Sequence, residues 1–165
     1  MDYDWLVIGS GFGGSTSALR LAEKGYSVGV LEAGRRFADE DFAESTWQLG
    51  RYLWAPIVGL RGILRLTPFK DIFIASGAGV GGGSIVYANT LYRAKPEFFE
   101  NPQWEGLADW ERELDGPYTT AERMLGVNMV PFESPGDLLL QDYAASLGKE
   151  DTFTRTPVAT FFGTP

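Results

Sequence analysis

Between Val7 and Gly34 the chain reads VIGSGFGGSTSALRLAEKGYSVGVLEAG. Gly9, Gly11 and Gly14 stand in G-x-G-x-x-G spacing, and Glu32 closes the next apolar run. These residue types at this spacing suit the holding of a dinucleotide. The first glycine permits a tight turn out of a strand. The second lets a pyrophosphate approach backbone that carries no Cβ, and the third lets the following helix pack on the strand. Phosphates would then lie at the helix N-terminus, where unpaired N–H groups and the positive end of the dipole favour an anion. Ser10, Phe12 and Gly13 fill out the loop between the glycines. The Glu32 carboxylate, followed by Ala33, would accept hydrogen bonds from both ribose hydroxyls and repel a 2′-phosphate, which argues against NADP. The motif does not separate FAD from NAD. A tight βα turn with an incidental surface glutamate is the plainer alternative. Against it, the match continues in register through Ala18, Leu21, Gly25 and Val28.

A second chemistry-bearing stretch is DIFIASGAGVGGGSIVYANTLYR, Asp71 to Arg93. Gly77, Gly79, Gly81, Gly82 and Gly83 crowd a short span between apolar runs, with no polar residue among them until Ser84. A flexible linker is one reading. Glycines flanked by buried segments more often mark a close backbone approach to a ligand or another segment, presenting N–H groups to phosphate or ring edges.

The elements that must position these residues follow from periodicity. Trp5 to Ile8 is a continuous apolar run closed by glycine, as in a strand covered on both faces. From Ser15 to Lys24, Ala18, Leu19, Leu21 and Ala22 recur at helical spacing, and Gly25 stands at a helix-ending position. Ser27 to Leu31 is a second apolar strand, completing a right-handed βαβ unit. The fold class is therefore α/β, Rossmann-like. Asp71–Ala75 reads as a further strand, and Ser84–Tyr87 as extended or early helical.

STWQLGRYLWAPIVGLRGILRLTPFK, Ser45 to Lys70, carries Arg51, Arg61, Arg65 and Lys70 and no acid. Trp54, Ile57, Val58, Leu60, Ile63 and Leu64 give it an apolar face suited to a helix. Core or lid packing is the plainer reading, and a basic amphipathic lid touching a bilayer through residues 51–70 is the sharper one. The arginines and Pro56 interrupt it too early for a transmembrane span. Further on, Pro117 suits the first turn of a helix ending near Gly126, and Ser134, Pro135 and Gly148 suit a cap, first position and terminator. Glu111, Glu113 and Asp115 read as a solvated helix face.

Composition narrows the chemistry. The 165 residues carry a formal charge of −8 and are 44% hydrophobic, a globular balance that disfavours nucleic acid as a partner. There is no cysteine, which removes thiolate catalysis and cysteine-ligated metals, and no histidine, the commonest general base. The start lacks the features of a signal peptide, so a cytoplasmic setting is expected.

Three stretches together, DYDWLVIGSGFGGSTSALRLAEKGYSVGVLEAGRRF, GAGVGGGSIVYAN and GPYTTAERMLGV, resemble the N-terminal part of the glucose–methanol–choline (GMC) oxidoreductases, especially their bacterial sterol-oxidising members. The resemblance implies FAD. The first motif (Gly9, Ser10, Gly11, Phe12, Gly13, Gly14) would hold the ADP half, with Glu32 and Ala33 at the adenosine ribose. Gly77, Gly82, Gly83, Ser84, Tyr87, Ala88 and Asn89 would face the pyrophosphate and flavin ring. Relatives often show Asn-Gly-Gly where this chain has Tyr87-Ala88-Asn89, and those that tether FAD place a histidine where it has Val86, so FAD is expected to be non-covalent. The family oxidises a hydroxyl by hydride transfer to flavin N5, here on a small-molecule alcohol such as a sterol. Its histidine-containing base and donor lie far towards the C-terminus, so no catalytic base is assigned here.

On this resemblance, residues 1–150 are expected to be a partial FAD-binding domain with a helical lid or insertion at about 36–70. Residues 151–165, from the strand-like run Thr152–Phe162, would begin a substrate domain. The chain reads as incomplete, marginal alone, and binding FAD weakly or not at all, because parallel sheets need neighbouring strands. A non-catalytic nucleotide-binding remnant and an NAD-linked dehydrogenase are the alternatives. The second predicts no second glycine cluster.

Overall fold

The computed structural model describes residues 2–163; Met1, Thr164 and Pro165, counted within the expected domains, lie outside them. The chain divides into two compact units, Met1–Ala88 and Asn89–Pro165.

The first unit opens with β1 (Trp5–Ile8), α1 (Phe12–Glu23) and β2 (Val28–Leu31). β1 and β2 pair in parallel, Trp5 opposite Val28 through Ile8 opposite Leu31, so the expected βαβ unit is present. α1 begins directly after Gly11, three residues earlier than the apolar spacing suggested, because Gly13 and Gly14 carry no apolar signal although they are helical. Two amides bonded to carbonyls of α1's last turn close it, Lys24 N–H on Leu21 and Gly25 N–H on Ala22.

The expected helical insertion does not form. Residues 36–70 contain a 3-10 turn at Asp39–Asp41 and the four-residue α2 (Leu49–Tyr52), then turn to strands. β3 (Trp54–Ala55) pairs antiparallel with β4 (Leu60–Arg61) across a 3-10 turn at Pro56–Val58, and β5 (Leu64–Pro68) pairs antiparallel with β6 (Phe73–Gly77). The arrangement that forms requires glycine at position 62, whose backbone lies against the Arg51 and Tyr52 carbonyl groups too closely for any Cβ. The alternation Leu64-Arg65-Leu66-Thr67 is strand-like, and it overrides the helical spacing of the larger apolar residues. β6 starts two residues later than expected. The buried side chains of this unit, Ser10, Ile63 and Ala78, lie on or beside the two glycine-rich loops.

The second unit contains α3 (Pro96–Phe99), α4 (Trp110–Leu125), β7 (Asn128–Met129), α5 (Pro135–Ser146), a 3-10 turn at Glu150–Thr152 and β8 (Pro157–Val158). α4 is longer than expected. Asp109 caps it by accepting from the Arg112 amide at 3.2 Å, and Pro117 sits in its interior instead of its first turn. Gly116, just before the proline, has no Cβ to clash with the pyrrolidine ring, which eases the α conformation there. α5 starts as expected: Ser134 and Asp137 form a reciprocal capping box with Pro135 at the first position. The strand expected over Thr152–Phe162 shrinks to β8, which pairs with β7. Glu111, Glu113 and Asp115 are all exposed as expected, and Asp115, with Glu122, binds Arg93 at 2.7 Å.

Candidate dinucleotide-binding site

The loop leaving β1 is shaped by its first and third glycines. Gly9 has a φ of 89°, a left-handed conformation that favours glycine, and its N–H donates to the Leu31 carbonyl at 2.7 Å. A Cβ on Gly14 would run into the Gly9 carbonyl oxygen, so α1 can start this close to β1 only with glycine there. Gly11 and Gly13 behave differently. A Cβ on Gly11 would meet only the Gly82 Cα, at 3.9 Å, and one on Gly13 nothing within 4 Å. The chain's own packing does not require glycine at either position. The first turn of α1 has no side-chain cap and no acidic residue, which leaves its leading N–H groups to an external acceptor.

The second glycine cluster packs against this loop. Gly82, at a φ of 56°, would place a Cβ 2.7 Å from the Gly11 Cα. A Cβ on Gly83 would lie 3.2 Å from the Phe12 ring, and Phe12 meets Tyr87 edge to face at a centroid distance of 5.7 Å. Gly77 must be glycine because the Gly82 carbonyl occupies its Cβ position. Gly82, Gly83, Ser84 and Ile85 form a 3-10 turn, with the Ser84 hydroxyl donating to the Gly81 carbonyl at 3.0 Å. The cluster is therefore a packed loop and not a linker.

Ser10 joins the parts. Its N–H and its hydroxyl both donate to Glu32 Oε2, at 2.9 and 2.7 Å, and its hydroxyl accepts from the Gly81 N–H at 3.1 Å. Glu32 Oε1 accepts from the Gly34 N–H at 2.9 Å. These donors, the Gly34 amide foremost and the Ser10 hydroxyl and amide after it, hold the half-buried Glu32 carboxyl below its ordinary pKa against the smaller opposing effect of burial, with the Ala33 amide adding to them. The carboxylate thus remains ionised at neutral pH, at the end of β2 beside the glycine loop.

The structure therefore brings together Gly9, Ser10, Gly11, Phe12, Gly13, Gly14, Glu32, Ala33, Gly77, Gly82, Gly83, Ser84, Tyr87 and Ala88 within one unit. It places Asn89 in the other. There Asn89 adopts a φ of 56°, its amide donates to Thr160 Oγ1 at 2.7 Å, and its Oδ1 accepts from the Ala159 N–H at 3.3 Å. Gly34, which sequence reasoning did not place in the site, lies so close to the backbone of Ala78 and Gly79 that it tolerates no Cβ, while a Cβ on Gly79 would meet the Phe37 ring at 2.6 Å. The run Glu32-Ala33-Gly34 contained the signal, a glycine directly after the strand's closing acid.

Residues 7–39 match the family model of an NAD(P)-binding Rossmann-like domain. Over 162 residues the chain is 54% identical to a cholesterol oxidase of Mycobacterium tuberculosis, covering 98% of this chain and 28% of that protein. An uncharacterized GMC-type oxidoreductase of the same species is 37% identical over 153 residues, covering 88% of this chain and 23% of that one. The crystal structure of pyridoxine 4-oxidase from Mesorbium loti shares the fold, with a TM-score of 0.58 at 18% identity over 97% of this chain and 37% of that one. The chain thus spans 28% of the length of the first of these relatives.

Proposed function

We propose that this chain, which belongs to the glucose–methanol–choline oxidoreductase family and aligns with its N-terminal part, holds FAD non-covalently for the oxidation of a small-molecule alcohol. The observation that carries this reading is the contact between Gly11 and Gly82, which joins two glycine loops around the uncapped start of α1. A dinucleotide diphosphate fits there: the leading N–H groups of α1 face no acid, and the chain itself has no use for a Cβ-free surface at Gly11 and Gly13. Glu32 Oε1, which has the fewer protein donors, would accept a ribose hydroxyl, and the ionised carboxylate would repel a 2′-phosphate. Gly83, Ser84, Tyr87 and Ala88 would border the distal part of the cofactor. When bound, the flavin supplies a hydride acceptor. Sterol is the proposed alcohol, on the 54% identity to a protein named cholesterol oxidase. An NAD-linked reading gives the second loop no role, and the packing of Gly82 on Gly11 counts against it.

Equilibrium dialysis of the chain against FAD, ADP and NADP tests the proposal. FAD is expected to bind in the micromolar to millimolar range, to be displaced by ADP but not by NADP, and to be lost on Gly11→Val. Equal retention by wild type and Gly11→Val, or no retention up to roughly millimolar FAD, overturns it.

A further inference from the structure

The bonds around Glu32 form a chain that begins in the second glycine loop. The Gly81 N–H donates to Ser10 Oγ at 3.1 Å, and the Ser10 hydroxyl donates to Glu32 Oε2 at 2.7 Å. A serine hydroxyl has one proton. Because an amide N–H can only donate, the hydroxyl must accept from Gly81, and its own proton is left for the carboxylate. The direction of the chain is therefore fixed from end to end. Ser10 cannot turn away without stranding the Gly81 N–H at one end and baring the carboxylate at the other.

The surroundings hold this chain of bonds in place. Ser10 is buried, and the Ser15 hydroxyl pins its carbonyl at 2.7 Å. Gly81 has a φ of 105°, a left-handed conformation that favours glycine, and a Cβ there would lie 2.7 Å from Ser84 Oγ. A second bond from the same loop reaches the segment after Glu32: the Val80 N–H donates to the Arg35 carbonyl at 3.0 Å. The second loop thus holds residues 32–35 through Val80 and the first loop through Gly81. Of the two carboxylate oxygens, Oε2 takes both Ser10 donors and Oε1 takes the Gly34 N–H. Rotating the carboxylate would cost both Ser10 bonds at once, so Ser10 decides which oxygen is left for a ligand.

We propose that Ser10 is a positioning residue for the nucleotide's sugar: through Glu32 it sets how strongly the ribose hydroxyls are recognised, and through Gly81 it ties that recognition to the second glycine loop. The inference rests on the dinucleotide reading of the site and adds to it a residue that acts without touching the sugar. A ribose hydroxyl donating to Glu32 Oε1 meets a carboxylate already held by its other oxygen, so little ordering cost remains to be met on binding. Such a bond, to a charged acceptor, is strong only when it is aligned. Without the Ser10 hydroxyl the carboxylate keeps the Ser10 and Gly34 amides but can pivot about them, and the Gly81 N–H loses its acceptor. Sugar recognition and the second loop then act as separate parts.

Equilibrium dialysis against ADP and 2′,3′-dideoxy-ADP tests the proposal, because the ratio of the two affinities isolates the sugar hydroxyls and does not depend on the fraction of chain folded. Wild type is expected to prefer ADP by about tenfold or more, the worth of a hydrogen bond to a charged group. In Ser10→Ala the preference should fall to about threefold or less, and Glu32→Gln should bring it to the same level. A Ser10 that served stability alone would weaken both nucleotides equally and leave the ratio at its wild-type value, which overturns the proposal. Hydrogen exchange on wild type reads the other link without a variant. At equal occupancy, ADP should slow exchange of the Gly81 amide at least about threefold more than dideoxy-ADP does, and equal protection by the two also overturns the proposal. Wild type that binds ADP and dideoxy-ADP equally removes the ribose role of Glu32, and this inference with it. No ADP binding up to roughly millimolar instead overturns the dinucleotide reading itself.

Discussion

Ser10 is the most heavily engaged residue of the site. Besides its bonds to Glu32 and Gly81, its carbonyl accepts the Ser15 hydroxyl at 2.7 Å, and the residue is buried. Ser10→Ala removes the tie between the loops and strands the Gly81 N–H, at a cost of about 1–3 kcal/mol, measurable by urea titration. Glu32 makes the arrangement pH-dependent. Its folded-state pKa is depressed, so its stabilisation is present above its ordinary value of 4.5 and is lost as pH falls through the lower folded value. Wild type should therefore lose more stability than Glu32→Gln on acidification below about pH 5, and identical acid profiles would refute the role of these bonds. The glycines separate in the same way. Gly14→Ala collides with backbone and should destabilise by about 2 kcal/mol or more, whereas Gly13→Ala, inside α1 with open space around it, should stabilise by roughly 0.5–1 kcal/mol. The motif spacing makes Gly14's role legible. It says nothing of Ser10, because the x positions of a G-x-G-x-x-G turn are chosen by what the rest of the fold brings near them, here Gly81 from far along the chain.

The elements best read from sequence are those whose signals are local. β1, α1 and β2 follow from unbroken apolar runs and a helical period, and α5 from a capping serine with a matching aspartate three residues on. Ser134→Ala should cost α5 about 1 kcal/mol, seen as a lower urea midpoint followed by circular dichroism. The hairpins of 54–77 were hidden because Trp54, Ile57, Val58, Leu60, Ile63 and Leu64 also satisfy helical spacing. Pro56, Gly59 and Gly62 were the telling residues, and they act through tertiary packing of Gly62 on α2, which no local pattern carries. α4 misled in the opposite sense. Its proline suggested a start, whereas the start is set by Asp109 and the proline is tolerated inside. Pro117→Ala restores an N–H facing the Glu113 carbonyl and is expected to raise the thermal midpoint, because an interior proline costs a helix about 3 kcal/mol and Gly116 offsets only its steric part. A lowered midpoint would mean that the proline serves packing and not merely that it is endured.

At the scale of the molecule, surface area decides how the chain behaves in isolation. It exposes 12659 Å² at 18.1 kDa. Size scaling gives about 8,100 Å² for one folded body of that mass and about 9,700 Å² for two separate bodies of half the mass. Against two separate bodies the excess is roughly 3,000 Å², within the range that an obligate interface buries. Large apolar residues are exposed along the chain, some of them where the first sheet has no neighbour. β1 and β2 pair only with each other among the described residues, Ile8 is 87% exposed, and Leu6, Val30 and Leu31 are also exposed. A two-stranded parallel sheet with both edges open is a template for further strands. The net charge of −8 opposes self-association through repulsion that salt screens. The isolated chain should therefore bind a hydrophobic dye in its native state and stay monomeric at low ionic strength. It should associate as salt is raised, and Ile8→Lys with Leu31→Lys should weaken that association. Sedimentation velocity across a salt series, with dye fluorescence on the same samples, measures both. A dye-silent chain that remains monomeric in high salt and unfolds in one cooperative step would show that this open sheet is stable by itself, against the area comparison.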